Sequence, residues 1–445
     1  MVPNRLQSVP AEAIRQHLLQ ALARYWPKNT HQLLALPITA LSFPKITEPL
    51  RLIEVRLPEW GEGCGIDGSL MVPRECGPTS VAPRWDQVDW WLAAFLMLEG
   101  WHERIHEQRH GPIHSYSLRL KRWDERIWKR AWVNRIALFL RAWAATEAGQ
   151  DESALFGPLP RPEIRLTHDI DALAKTVPIR IKQSAFMGFN AVRLLANGRP
   201  GAARSLAGRS LKFLLGREDW LKIGEVQALE REACLRSQFN FYADDRPKNL
   251  KRWLFDPGYD IGEQRFAGLL TRLSREGWQI GLHQSFDAWR SADMMRRQRE
   301  RLQSFLPTAV TSCRQHWLRF SWQDTWAAQT DAGFEEDTTL MFNDRPGFRA
   351  AAALSWAPWH PEACQPHRLH VLPTVLMDSH LFDYQPIEPG QRMAAIHYWL
   401  DEIRAVAGQA AILWHPHTLT ADYGWNAGFQ ELIEYMKGMA PCPDS

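Results

Sequence analysis

The sequence predicts an α/β protein, with strand–helix alternation over residues 160–440 and a smaller α+β domain over residues 1–155. Three observations predict it. The chain has 445 residues, too many for one ordinary core. A Pro-rich connector, FGPLPRPE (Phe156–Glu163), divides it into two differently patterned regions. Beyond the connector, short apolar runs alternate with segments of helical period, the pattern of a parallel sheet or barrel.

The elements follow in order. Ala11–Trp26 reads as an amphipathic helix, and Arg51–Pro58 (RLIEVRLP) alternates as a half-buried strand does. Gly61–Pro83, rich in Gly, Pro and Cys, reads as a loop, followed by helical stretches over Trp85–Glu107 and Trp123–Thr146. After the connector, strands are expected at Glu163–Thr167, Gln238–Ala243, Gln279–Leu282, Ala309–Ser312, His370–Pro373 and Ala410–Trp414. Helices are expected at Gly224–Ser237, Ile261–Glu276, Ala288–Leu306, Ser321–Ala332, Pro389–Ala407 and Asn426–Lys437. One insert stands apart: residues 175–217 carry nine Lys or Arg and no Asp or Glu, with apolar residues at helical spacing. Such a stretch suits peripheral contact with an anionic membrane or a lipid-linked substrate, or a solvated helical hairpin packed on the barrel.

Composition narrows the function. Hydrophobic residues make up 45% and charged residues 23%, a globular mix. A net charge of +3 gives no nucleic-acid-like field, so no nucleic-acid partner is expected. The 22 Trp read mainly as core, with sugar stacking as a second use. Six cysteines without CxxC pairing fit a reducing compartment. The chain start has no signal-peptide pattern and no apolar run reaches the ~20 residues of a membrane span. A cytoplasmic protein is expected.

Polar clusters follow the expected strands: His168-Asp169-Ile170-Asp171, His283-Gln284-Ser285, Arg314-Gln315-His316 and His415-Pro416-His417. Single polar residues there are usually turn or cap residues. Four clusters at one end of successive strands mark the usual site position of such folds. Imidazole and carboxylate ligands suit zinc or another divalent transition metal. A coordinated water with its pKa lowered towards ~7 is a nucleophile at neutral pH, and a second His can protonate a leaving group. The set points to metal-assisted hydrolysis.

The runs LTHDID, EGWQIGLHQS, CRQHWLR and ILWHPHT, in this order, resemble the polysaccharide deacetylase (NodB-homology, carbohydrate esterase family four-like) family, in its H-D-x-D subgroup. NDRPGFRAA and LPTVLMDSHL are similar to further elements of that subgroup, and Val88–His110 to an amino-terminal domain that often precedes the module. The resemblance implies a distorted (β/α) barrel of fewer than eight strands and a metal-dependent hydrolase of acetylated glycans. By position, Asp169 resembles the catalytic base, Asp171 and His283 metal ligands, Arg314 the residue that holds the base, and His415 the acid. The implied metal is zinc, with iron, cobalt and manganese as alternatives. The implied substrate is an acetylated glycan or lipid-linked saccharide of surface or exopolysaccharide synthesis.

One position departs from the pattern. The family's second motif has another His four residues after the first, and here that residue is Asp287. Either His316 supplies the third ligand, the favoured reading, or Asp287 does; as the residue before a helical run, Asp287 also reads as an N-cap. A degraded site, leaving a non-catalytic carbohydrate-binding protein, is the alternative function. Arg349 and Asp378 are secondary candidates for substrate contact, with a structural ion pair as the competing role. His417 and His380 rank below them, and Tyr259-Asp260 reads as a cap.

Overall fold

The computed structural model describes residues 9–37, 43–78, 83–196, 198–216, 218–384 and 387–437. Arg217, at the end of the basic insert, and Cys442 lie outside them. The first expected helix is Ala11–Ala21, which buries Ile14, Leu18 and Leu19. Strand β1 (Leu52–Arg56) pairs antiparallel with β2 (Ser69–Pro73). β2 falls inside Gly61–Pro83, read from sequence as a loop; Gly and Pro on both sides hide a strand whose Leu70 and Val72 are fully buried. The helical stretch Trp85–Glu107 is broken into Trp90–Leu98 and Trp101–His110. Gly100 makes the break, with φ 54°, and a Cβ there would lie 2.3 Å from the ring of Trp322. Glycine therefore lets this segment press on the barrel.

The barrel strands are β3 (Glu163–Ile170), β4 (Gln238–Tyr242), β5 (Gln279–Gln284), β6 (Ser312–Gln315) and β7 (Glu336–Asp337). A hairpin of β8 (Trp359–His360) and β9 (Gln365–Pro366) precedes β10 (His370–Val371), β11 (Thr374–Met377) and β12 (Gln409–Leu413). Eight of them form one sheet in the order β10-β7-β6-β5-β4-β3-β12-β11, parallel at every pairing. Parallel pairing requires crossovers, and most of these carry the helices expected from sequence, among them Ile223–Glu232, Gln264–Arg275, Ala292–Gln303 and Pro389–Ala405. The strand expected at Ala309–Ser312 begins three residues later, at Ser312, which places Arg314 within it.

The sheet closes through its own chain. Its edge strands, β10 and β11, are separated in sequence only by Leu372 and Pro373, a span of at most ~11 Å. The link therefore brings the two edges close, and it is anchored to the β7 side, where Leu372 N donates to Asp337 O (2.9 Å) and Thr374 N donates to Leu340 O (3.1 Å). The resemblance implied fewer than eight strands; eight are present because β7 and β10, of two residues each, complete the circuit.

Packing continues across the connector. Tyr25 Oη donates to Val406 O (2.6 Å), and Asn134 Nδ2 to Ala353 O (2.7 Å). Trp90, Trp101, Trp326, Trp356 and Trp414 are among the largest fully buried side chains, so core filling accounts for much of the tryptophan abundance. Cys64, Cys76, Cys313 and Cys364 are free, and Cys234 is disulfide-bonded. The basic insert is a hairpin of helices Val177–Ala196 and Pro200–Leu215. Ser184 and Ser210 join them, each hydroxyl donating to the other residue's carbonyl (3.2 and 2.8 Å). The hairpin leaves the carboxyl end of β3, beside the polar clusters.

Candidate metal centre and active-site cleft

Strand alternation sorts the motif LTHDID. Successive side chains point to opposite faces, so Thr167 and Asp169 face the barrel interior while His168 faces the outer helices. Asp171 follows at the strand end, His283 lies in β5, and His316 comes directly after β6. Their ligand atoms converge: His283 Nε2 lies 3.1 Å from Asp171 Oδ1, and His316 Nδ1 lies 3.4 Å from the same oxygen and 2.6 Å from His283 Nε2. Asp171 Oδ1 and His283 Nδ1 are buried without hydrogen-bond partners. Metal–ligand bonds of ~2.0–2.2 Å put neighbouring tetrahedral ligands about 3.3 Å apart, so two imidazoles and a carboxylate fit one divalent ion.

Asp169 lies behind this triad. Arg314 Nη1 contacts its Oδ1 at 3.2 Å and Asn240 Nδ2 donates to the same oxygen at 2.8 Å. Arg314 is fully buried, and its other donors reach Thr338 O (3.1 Å), Thr167 Oγ1 (2.8 Å) and Thr374 Oγ1 (3.0 Å). Burial works to raise the Asp169 carboxyl, but Arg314, then His283 and His415, hold it below its usual range. At Asp171 burial is likewise outweighed, by His316 and His283, and the carboxyl sits well below the usual range. Gly281 leaves room for this support: a Cβ there would come within 2.3 Å of Asn240 Oδ1.

His415 enters from the other side. Its Nε2 lies 3.5 Å from Asp171 Oδ2, and its Nδ1 lies 3.0 Å from Asp378 Oδ1. Asp378 also accepts from the His415 backbone N–H (2.8 Å) and from Thr418 Oγ1 (3.2 Å). Burial would lower His415; Asp378, then Asp171 and Asp169, instead raise it to about 10. These residues line a cleft of about 340 Å³, with Lys182 and Phe186 from the hairpin on its wall. Trp317 is also on the wall. It has φ 59° and Leu318 φ 49°, left-handed values that non-glycine residues seldom adopt and that cluster at functional sites.

Two expectations are corrected. Asp287 stands apart from the triad: it occupies the N-cap position of Ala288–Arg290 without a capping bond and pairs with Lys251 (2.7 Å) and Arg319 (3.2 Å). Arg349 does not face the cleft; its side chain is fully buried, pairs with Glu103 at 2.8 Å and stacks on Phe342. The ion pair, not substrate contact, is its role in this structure. Asp378 is in the cleft wall, but its hydrogen bonds come from Ser379 N, His415 and Thr418. His417 is buried against Trp220, ring centroids 5.3 Å apart, and His380 Nε2 meets Phe342 O at 3.1 Å. Asp260 accepts from Gly262 N (2.8 Å), as a local turn residue. Sequence reasoning missed Asn240 and Trp317; a polar residue inside an apolar strand marked the first, and the neighbouring His316 the second.

No family model and no curated protein matches this chain. Among solved structures, it is similar to a protein from Mycobacterium smegmatis provisionally described as a polysaccharide deacetylase. That match has a TM-score of 0.36 and 18% identity, covering 62% of this chain and 84% of the other. A mutant CE4-family pseudoenzyme with restored enzymatic activity gives 0.27 at 11% identity, covering 62% and 63%. At this distance the chemistry rests on the residues of the cleft themselves.

Proposed function

We propose that the protein is a metal-dependent hydrolase that removes N- or O-linked acetyl groups from a glycan. The observation that carries this reading is the convergence of Asp171, His283 and His316 between an Arg-held carboxylate, Asp169, and a carboxylate-held imidazole, His415. A divalent ion, zinc or alternatively iron, cobalt or manganese, would be held by the triad and would supply Lewis acidity and an acidified water. Asp169, kept ionised by Arg314, takes the proton of the attacking water. His415, protonated and oriented by Asp378, gives a proton to the departing amine or alcohol, so water and the acetyl ester or amide become acetate and the free glycan group. Trp317 offers an apolar face for a sugar ring.

Asp287, in place of the usual His, is the observation behind a second reading: a glycan-binding protein without catalysis. Metal analysis of the purified chain separates the two, followed by acetate release from acetylated chito-oligosaccharides and O-acetylated oligosaccharides. About one metal per chain, with acetate release that falls ~10²–10⁴-fold in Asp169→Asn while metal is retained, supports the hydrolase. A chain that takes up no metal on reconstitution, yet binds glycan in the presence of chelator, supports the second reading and overturns the first.

A further inference from the structure

The hairpin Val177–Leu215 presents a surface that nothing among the described residues covers. On its first helix Val177, Ile181, Ala185, Gly188, Val192 and Leu195 recur at intervals of four or three, and so fall on one stripe. The stripe points outward: Val177 is 66% exposed, Ile181 54%, Val192 67% and Leu195 59%, with Phe189 at its border also 67% exposed. A folded surface rarely leaves so many large apolar groups together in water. The buried side of the same helix, with Ser184, Met187 and Ala191, is turned to the second helix and the barrel.

Charge surrounds the stripe. Arg193, Arg199, Arg204 and Lys212 are exposed, and no carboxylate among the described residues pairs with them. No acidic residue occurs between Lys175 and Arg217. An apolar stripe flanked only by cations matches an interface that is apolar inside and anionic at its rim, the headgroup region of an anionic bilayer. No helix among the described residues is long and apolar enough to cross a membrane, so the match is to lying on the surface. The apolar surface also continues towards the cleft. Trp253 is 43% exposed and lines, with Ile179 and Lys182 of the hairpin, an adjoining pocket that shares Asp171, His316 and Trp317 with the cleft.

We propose that this hairpin docks the protein flat on an anionic lipid bilayer, with the mouth of the cleft beside the membrane. If the hydrolase reading holds, on which this extension alone rests, the substrate is a saccharide carried on a lipid and presented at the bilayer surface.

The test is flotation of the full chain with vesicles of phosphatidylcholine, alone or with about one third phosphatidylglycerol, at low and high salt. Binding to the anionic vesicles only, weakened by salt, is expected. Ile181→Glu/Val192→Glu and, separately, Arg193→Glu/Arg204→Glu should each reduce the bound fraction ~10-fold or more, with thermal melting unchanged because all four sites are exposed. No flotation with anionic vesicles, or flotation indifferent to both double variants, overturns the proposal. So does a stable dimer in solution that Ile181→Glu/Val192→Glu dissociates, since a second copy would then cover the stripe. Vesicle binding is read without any hydrolysis, so it fails or succeeds independently of the cleft's chemistry.

Discussion

His168 and His283 lie two strands apart in one sheet, both buried and both near carboxylates, yet their surroundings are opposite. Both ring nitrogens of His168 face acceptors, Trp414 O at 2.7 Å and Glu230 Oε1 at 2.6 Å, and the ring stacks on Phe239. His283 has Nδ1 without a hydrogen bond and Nε2 directed at Asp171 and His316. Buried polar groups in a core are satisfied; those in a site stay open to what binds there. The pair teaches that saturation, more than burial or residue type, separates a structural histidine from a ligand.

The comparison can be broken most directly at the ligands. Asp171→Ala and His283→Ala should each remove bound metal and lower acetate release by at least ~10³-fold, read by elemental analysis and an acetate assay. Each variant also removes an ion-pair partner within the triad of the metal-free protein, so the effect is read in metal content rather than in stability. His168→Ala should do the reverse. It leaves Glu230 buried without its partner, at a cost of about 3 kcal/mol, seen in urea denaturation. Metal content should stay at the level of the unaltered chain; loss of metal in His168→Ala would erase the distinction.

A third variant sharpens it at the proton donor. Asp378 is the largest attractive influence raising His415 to about 10, so Asp378→Asn should bring the alkaline fall in activity to lower pH. The same shift has a stability consequence. The folded value lies above the unfolded ~6.5, so the His415 contribution is complete below that pH and is lost as pH rises towards 10. Asp378→Asn should flatten this alkaline loss in melting curves between pH 6.5 and 10. The smallest effect is expected at Asp287→Asn: it weakens contacts to the exposed Lys251 and the half-buried Arg319, worth ~0.2–1 kcal/mol, with metal content and activity unchanged within about twofold.

Much of this site was legible in the sequence because strands put chemistry at their ends. Asp169, Asp171, His283, Arg314 and His415 each sit in or just past a strand whose apolar run announced it, and the structure gathers them at one end of the barrel. What was less legible depended on distance in space. Asp287 stood at the family's spacing, while His316 was favoured for its imidazole; the turn after β6, with its left-handed Trp317 and Leu318, brings His316 beside Asp171 and His283. Arg349 stayed open between substrate contact and an ion pair because its partner, Glu103, is 246 residues away. β2 was hidden by flanking Gly and Pro, and the break at Gly100 by an apolar pattern that runs through it. The position of Asn240 under Gly281, which lets it hold Asp169, has no signature in either local segment.

The two-residue link Leu372-Pro373 that joins β10 to β11 has a consequence for the life of the protein outside the site. Open sheet borders recruit other chains, and here both borders are fastened by one short tie. A long flexible insertion at that tie would let the two borders part and present two free templates. Self-association would then appear before any loss of helix.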